Sequence, residues 1–84
     1  MKGSDARMER RLSDLETGEK AVIIKVVGAG ATRRRMLDMG LVRGAEITVI
    51  RRAPLGDPIE FRLKGYNLSL RREEAKNVLV EVKG

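Results

Sequence analysis

The sequence predicts a mainly β domain, with five short strands forming a small, partly open barrel that carries one inserted helix and short helical turns. Three observations carry that expectation. β-Branched residues and period-two alternation recur in short segments, glycine or proline separates each segment from the next, and one helical stretch runs into a glycine that reads as a stop.

Residues 1–11 are polar, charged and without periodicity, so a flexible tail is expected there and the folded domain over residues 12–84. Ser13 and Glu16 have the spacing of a capping box, but Thr17-Gly18 leaves room for at most one helical turn. Leu12 and Leu15 are then free to pack inward. Residues 19–27 (EKAVIIKVV) are short and β-branched, which favours a strand over a buried helix. Gly28-Ala29-Gly30 ends it.

Residues 31–39 read as a helix with Met36, Leu37 and Met39 towards the core and Arg33, Arg34 and Asp38 outward. Gly40 stands at the left-handed C′ position and Leu41 at C″, where it can touch Met36 in a Schellman stop. Arg43-Gly44 turns the chain into residues 45–52, in which Ile47 and Val49 share a face. Ala53-Pro54-Leu55-Gly56 has proline at i+1 and glycine at i+3, a type I pattern. Pro58 delays the next strand, which Ile59, Phe61 and Leu63 pursue at period two. Lys64-Gly65 gives a tight turn, and Tyr66, Leu68 and Leu70 resume the alternation. Residues 71–76 form a short turn or a single helical turn before a last strand with Val78, Val80 and Val82.

Composition excludes several function classes. Phe61 and Tyr66 are the aromatic residues, so the core is aliphatic, and 84 residues leave little room for an enclosed ligand cavity. No cysteine means no disulfide and no thiolate metal site, which fits a reducing cytosol. No histidine removes the commonest general base and the commonest neutral metal ligand. The longest apolar run, residues 21–24, is broken by Lys25 and spans no bilayer, and the N-terminus has no apolar signal region, so a cytoplasmic location is expected. The net charge of +6 favours acidic partners without choosing among nucleic acid, membrane and protein.

With these residues laid out, the chain resembles the FeoA family, small cytosolic partner proteins of bacterial and archaeal ferrous iron transport. The resemblance rests on Leu12-Ser13-x-Leu15, Gly18-Glu19, Arg35-Met36-Leu37-x-Met39-Gly40-Leu41-x-x-Gly44, Ala53-Pro54-Leu55-Gly56-Asp57-Pro58, Gly65-Tyr66-x-Leu68-Ser69-Leu70-Arg71 and Glu74-Ala75. It covers residues 12–82, and its strength lies in the order and spacing of these pieces together. It implies an SH3-like barrel and association with FeoB, the membrane ferrous iron transporter that carries a cytoplasmic GTPase domain. Related SH3-like domains also end iron- and manganese-dependent repressors. The charged extension before Leu12 is the departure from the family pattern.

Candidate sites each have a plain structural reading beside the functional one. Gly28-Ala29-Gly30 before a helix suggests phosphate binding. Yet Arg33 stands where a dinucleotide fingerprint needs its third glycine, and no Gly-Lys-Ser/Thr is present, so the run reads as a connection followed by a solvated arginine face. Leu55 is either a rigid partner anchor or a lid folded back on the barrel. Tyr66, as one tyrosine, is a poor stacking platform for bases and reads as core or rim packing. Met36 and Met39 read as core. Asp57 with Glu60, and Glu73 with Glu74, have the spacing of ordinary turns and solvated faces; neither a metal site nor a cofactor is expected.

The function expected from the resemblance and from the missing catalytic chemistry is a non-catalytic accessory module of ferrous iron uptake. It binds the cytoplasmic part of a FeoB-like transporter, reaches the membrane only through that partner and modulates GTPase-linked transport. The expected contact surface combines Arg33, Arg34 and Met39 of the helix with Pro54, Leu55, Gly56 and Asp57 of the loop. Arg33 or Arg34 would supply an arginine in trans if hydrolysis is stimulated. The alternatives are a small basic barrel that binds nucleic acid, which scarce aromatics and interspersed acids argue against, and a stand-alone interaction domain related to metal-dependent repressors. Weak self-association is left open, because residues 78–82 would offer a strand edge to a neighbour.

Overall fold

The alternating segments assemble into one antiparallel sheet. A computed structural model describes residues 9–83. Its elements are β1 (Glu9–Arg11), a 3-10 turn (Leu12–Asp14), β2 (Lys20–Val26), α1 (Gly30–Asp38), β3 (Glu46–Arg52), β4 (Ile59–Leu63), β5 (Tyr66–Leu70), α2 (Arg72–Ala75) and β6 (Val78–Val82). The strands lie in the order β1-β6-β2-β3-β4-β5, and each neighbouring pair is antiparallel. β1 and β5 are the two edges, so the sheet curls without closing.

The expected class is therefore met, with six described strands in place of five. The extra strand comes from the expected tail. Glu9, Arg10 and Arg11 pair with Glu81, Val80 and Leu79 of β6 although all three side chains are exposed. A strand held at one flank by backbone hydrogen bonds needs no apolar side chains, so its sequence carries no alternation to read. Residues 1–8 of the expected tail lie outside the described residues. The same pairing corrects the expectation that residues 78–82 offer a free edge: β6 is covered on both sides, by β1 and β2.

Two β-bulges set the curvature. The β2–β6 register shifts between Ile23 and Lys25, so the buried residues of β2 run Ala21, Ile23, then Val26. The β3–β4 register shifts between Val49 and Arg51, which turns Arg52 to the inner side, opposite Ile59. A bulge adds one residue on one strand, reverses the facing of the residues beyond it and increases local twist. Arg52 consequently reaches the 3-10 turn, where its Nη2 donates to Ser13 O at 2.9 Å and also to Leu15 O. That turn carries no side-chain cap, so the expected Ser13–Glu16 capping box is not formed. Ser13 is buried inside the turn, and the Glu16 N–H is satisfied by Glu19 Oε1 at 2.7 Å. Glu74 instead supplies this kind of cap, accepting from the Arg71 N–H at the start of α2 at 2.9 Å.

The core is aliphatic around one aromatic ring. Phe61, Leu12, Leu15, Met36, Leu41, Ile47, Ile59 and Leu63 are fully buried. Each such side chain contributes about 1.5–3 kcal/mol by leaving water. β4 is central among them, since Ile59, Phe61 and Leu63 all face inward, as period two predicts. β5 keeps that pattern only at Leu70; Leu68 is half-buried and Tyr66 exposed, because one flank of an edge strand is uncovered. Lys64 and Gly65, with φ of 52° and 90°, form the two-residue turn between β4 and β5, in which both central residues take positive φ.

Candidate docking surface

The helix and loop singled out by the sequence lie on either side of α2. α1 starts at Gly30 after a glycine-rich connection that packs on α2's end: Val27 N–H donates to Asn77 O at 2.7 Å, and Gly28 abuts the Asn77 side chain. The glycines thus serve as a connection. Arg33 is exposed but anchored, with Nε donating to Val26 O at 3.1 Å. Arg34 is exposed and makes no hydrogen bond or ion pair among the described residues. Arg35 pairs with Glu74, which ties α1 to α2.

The helix ends as the sequence predicts. Gly40 has φ +101°, its N–H donates to Leu37 O at 3.0 Å, and the Leu41 N–H donates to Met36 O at 3.2 Å. These are the two bonds of a Schellman motif. Met36 is fully buried, whereas Leu37 and Met39 are partly buried at the margin of the core. The Tyr66 hydroxyl donates to the Met39 carbonyl and so satisfies one of the helix's terminal acceptors. Tyr66 is therefore a rim residue, 45% exposed, with its polar tip committed to the helix end.

The 53–58 loop is held at three points. Gly56 N–H donates to Ala53 O at 2.7 Å, which is the i to i+3 bond expected of the turn, and Ala53 N–H donates to Pro58 O at 3.0 Å. Asp57 Oδ1 accepts from the Arg72 N–H at 2.9 Å, joining the loop to the start of α2. Leu55 projects from this frame at 92% exposure, against 38% for Val42 and 45% for Tyr66. It does not fold back on the barrel. A side chain that exposed contributes almost nothing to stability, and its presentation costs the loop no flexibility.

The structure thus joins helix and loop indirectly. Arg72 and Glu74, two residues apart on α2, bind the loop and α1 respectively. No hydrogen bond or ion pair runs directly from Arg33, Arg34 or Met39 to residues 54–57 among the described residues. The carboxylates read as ordinary turn and face residues are each engaged: Asp57 with the Arg72 N–H, Glu60 with Arg51 Nε at 2.9 Å, Glu74 with Arg35, and Glu73 with Lys76 at 3.7 Å. Among the described residues no group of three or more acidic, histidine or cysteine side chains stands close enough to hold a metal ion. Among them, too, no helix is long and apolar enough to cross a membrane. Sequence reasoning did not find Tyr66, Arg72 and Glu74 as the residues that frame this surface, because their partners lie on other elements and obey no periodicity.

The sequence that folds in this way matches the FeoA domain model over residues 10–82. The chain belongs to the FeoA domain family. A relative from Porphyromonas gingivalis, an Fe(2+) transport protein A/Fe(2+) transporter FeoB fusion protein, is 53% identical over 72 residues, 86% of this chain. The chain spans 8% of that protein's length. A solved FeoA-like protein from Clostridium acetobutylicum is 49% identical, with a TM-score of 0.82 over 88% of this chain and 86% of that one. The FeoA of Stenotrophomonas maltophilia, solved with zinc and described as a procaryotic SH3 domain protein, is 32% identical, with a TM-score of 0.74 over 82% of this chain and 86% of that one. The FeoA domain is thus a domain of ferrous iron transport proteins, joined to FeoB in one polypeptide in the P. gingivalis relative, and its sheet is SH3-like.

Proposed function

We propose that this chain is a non-catalytic accessory module that docks on the cytoplasmic part of a FeoB-type transporter and modulates its GTPase-linked transport. The observation that carries the reading is Leu55, 92% exposed on a loop held by three hydrogen bonds. A protruding apolar residue on a rigid frame loses little entropy on docking and fits a pocket on a partner. The fusion in the P. gingivalis relative supports FeoB as that partner. A shared chain replaces diffusion with a high effective concentration, which selection favours where two parts work together. In this reading the docking face extends over α2 to Arg34, which makes no hydrogen bond or ion pair among the described residues and can meet acidic groups. Arg33 is tied to Val26 O, so Arg34 is the better arginine to act in trans on a nucleotide. A cytoplasmic location accords with this partner.

Calorimetry and co-purification with the matching FeoB cytoplasmic domain test the reading. Leu55→Glu is expected to leave folding stability within about 0.5 kcal/mol of the parent while weakening binding at least tenfold, about 1.4 kcal/mol. Arg34→Ala is expected to reduce any stimulation of GTP hydrolysis more than it reduces binding. Unchanged affinity after Leu55→Glu would move the contact elsewhere. Failure to bind in the membrane, with and without nucleotide, would remove the reading altogether.

A further inference from the structure

A second charged surface lies at the other end of the β3–β4 hairpin from Leu55. β3 runs seven residues from Glu46 to Arg52 before the 53–58 loop, and β4 returns to the Lys64 turn. At about 3.3 Å per residue the two ends are on the order of 20 Å apart. At the far end Lys20 of β2 is opposite Thr48 of β3, and Thr48 is opposite Arg62 of β4. Residues directly opposite in antiparallel strands share a face, so Lys20 and Arg62 stand on the outer face with neutral Thr48 between them. Lys64 adjoins them in the turn, and the three line an open groove of about 380 Å³ with Glu46.

Among the described residues none of these three cations is held in an ion pair, and Lys20 feels only a minor attraction to Glu46. The Lys20 and Lys64 ammonium groups make no hydrogen bond or ion pair among the described residues. Arg62 reaches only Asn67 Oδ1 among them, at 3.4 Å. The groove's carboxylate is already committed: Glu46 Oε2 accepts from Lys83 Nζ at 2.6 Å. That hydrogen bond and the Lys83 charge, with a smaller contribution from Lys20, hold the Glu46 carboxyl below the usual carboxylate value. It stays ionised and paired at neutral pH. Among the described residues three cations thus face one groove whose single carboxylate, Glu46, is already paired with Lys83.

We propose that this groove is a docking site for a carboxylate-rich segment of a partner protein, separate from the Leu55 face. The choice of a protein segment over a nucleic acid comes from the two faces of β5. Tyr66 is opposite Leu63, on the inner side, whereas Asn67 is opposite Arg62, on the outer side. The groove therefore has no aromatic face for base stacking beside its cations. The cations span about two strand spacings, on the order of 10 Å, which suits a few acidic side chains rather than a long phosphate track. The proposal does not rest on the identity of the transporter partner.

The test is an amide-shift NMR titration of the full chain with a hexaglutamate peptide and, separately, with an oligouridylate. Gly44, Lys64 and Gly65 amides are expected to shift with hexaglutamate. The affinity is expected to fall at least tenfold in Lys20→Glu/Lys64→Glu, to fall less in Lys20→Gln/Lys64→Gln, and to weaken with added salt. Leu55→Glu is expected to leave these shifts intact, which separates this site from the docking loop. Absence of shifts with hexaglutamate, shifts that survive charge reversal, or tighter binding of oligouridylate through the same amides would overturn the proposal.

Discussion

At Gly40 one atom's worth of space decides how the helix ends. Its φ of +101° lies in the region that disfavours side chains, and an added methyl would stand 2.8 Å from Tyr66 Oη and 3.3 Å from Leu63 Cδ2. Gly40→Ala is therefore expected to cost about 2–3 kcal/mol, and Tyr66→Phe, which removes the bond to the Met39 carbonyl, about 1 kcal/mol. The double variant is expected to cost less than the sum, since losing the hydroxyl relieves the closer contact. Chemical denaturation of all four proteins checks this, and strict additivity would refute the contact. The glycine stop was legible because left-handed C′ geometry selects one residue type. Tyr66 as its neighbour was not, because 26 residues separate the two and only the finished sheet brings them together.

Among the elements, what the sequence announced best was what repeats. β2, β3, β4, α1 and β6 were legible from periodicity, each to within about a residue at its ends, the usual uncertainty of such boundaries. The bulges were not, because a bulge leaves the sequence with an ordinary-looking residue such as Ile24 or Ile50. Arg52 shows the cost of missing them. In strict alternation it is an outward, solvated arginine; one bulge earlier in β3 turns it inward to hold two carbonyls of the 3-10 turn. Arg52→Met is expected to destabilise by about 2–3 kcal/mol, because it leaves carbonyls at a buried turn without donors. Arg52→Lys should fall between, since an ammonium can donate to both carbonyls as Nη2 does but its stem reaches less far than the guanidinium. Urea midpoints at constant m-value would measure this. Of the candidate surface, the turn of the loop and the outward arginines were legible, the exposure of Leu55 was open between anchor and lid, and α2 as the piece binding both was not legible. Its two ties, Arg35–Glu74 and Arg72–Asp57, link residues 39 and 15 positions apart and obey no spacing rule.

For the whole molecule, the edge order of the sheet governs association. β1 covers the flank of β6 that would otherwise present unpaired N–H and C=O groups beside an apolar strand. Deleting residues 1–11 is expected to destabilise by about 2 kcal/mol, a fall in Tm of roughly 10 °C. It is also expected to make sedimentation depend on concentration where the intact chain's does not. An unchanged melting temperature and an unchanged sedimentation profile would show that β1 adds nothing to the sheet.

The pairing of β1 with β6 also decides how the module can be carried. Glu9 lies across from Glu81, and the Lys83 N–H bonds to Lys20, so both ends of the described chain leave the same corner of the sheet. A spacer, a label or a bead attached before Glu9 or after Lys83 would therefore hold the domain by one and the same corner. Immobilised in either polarity, the protein should present the same surface to a ligand and capture it equally well.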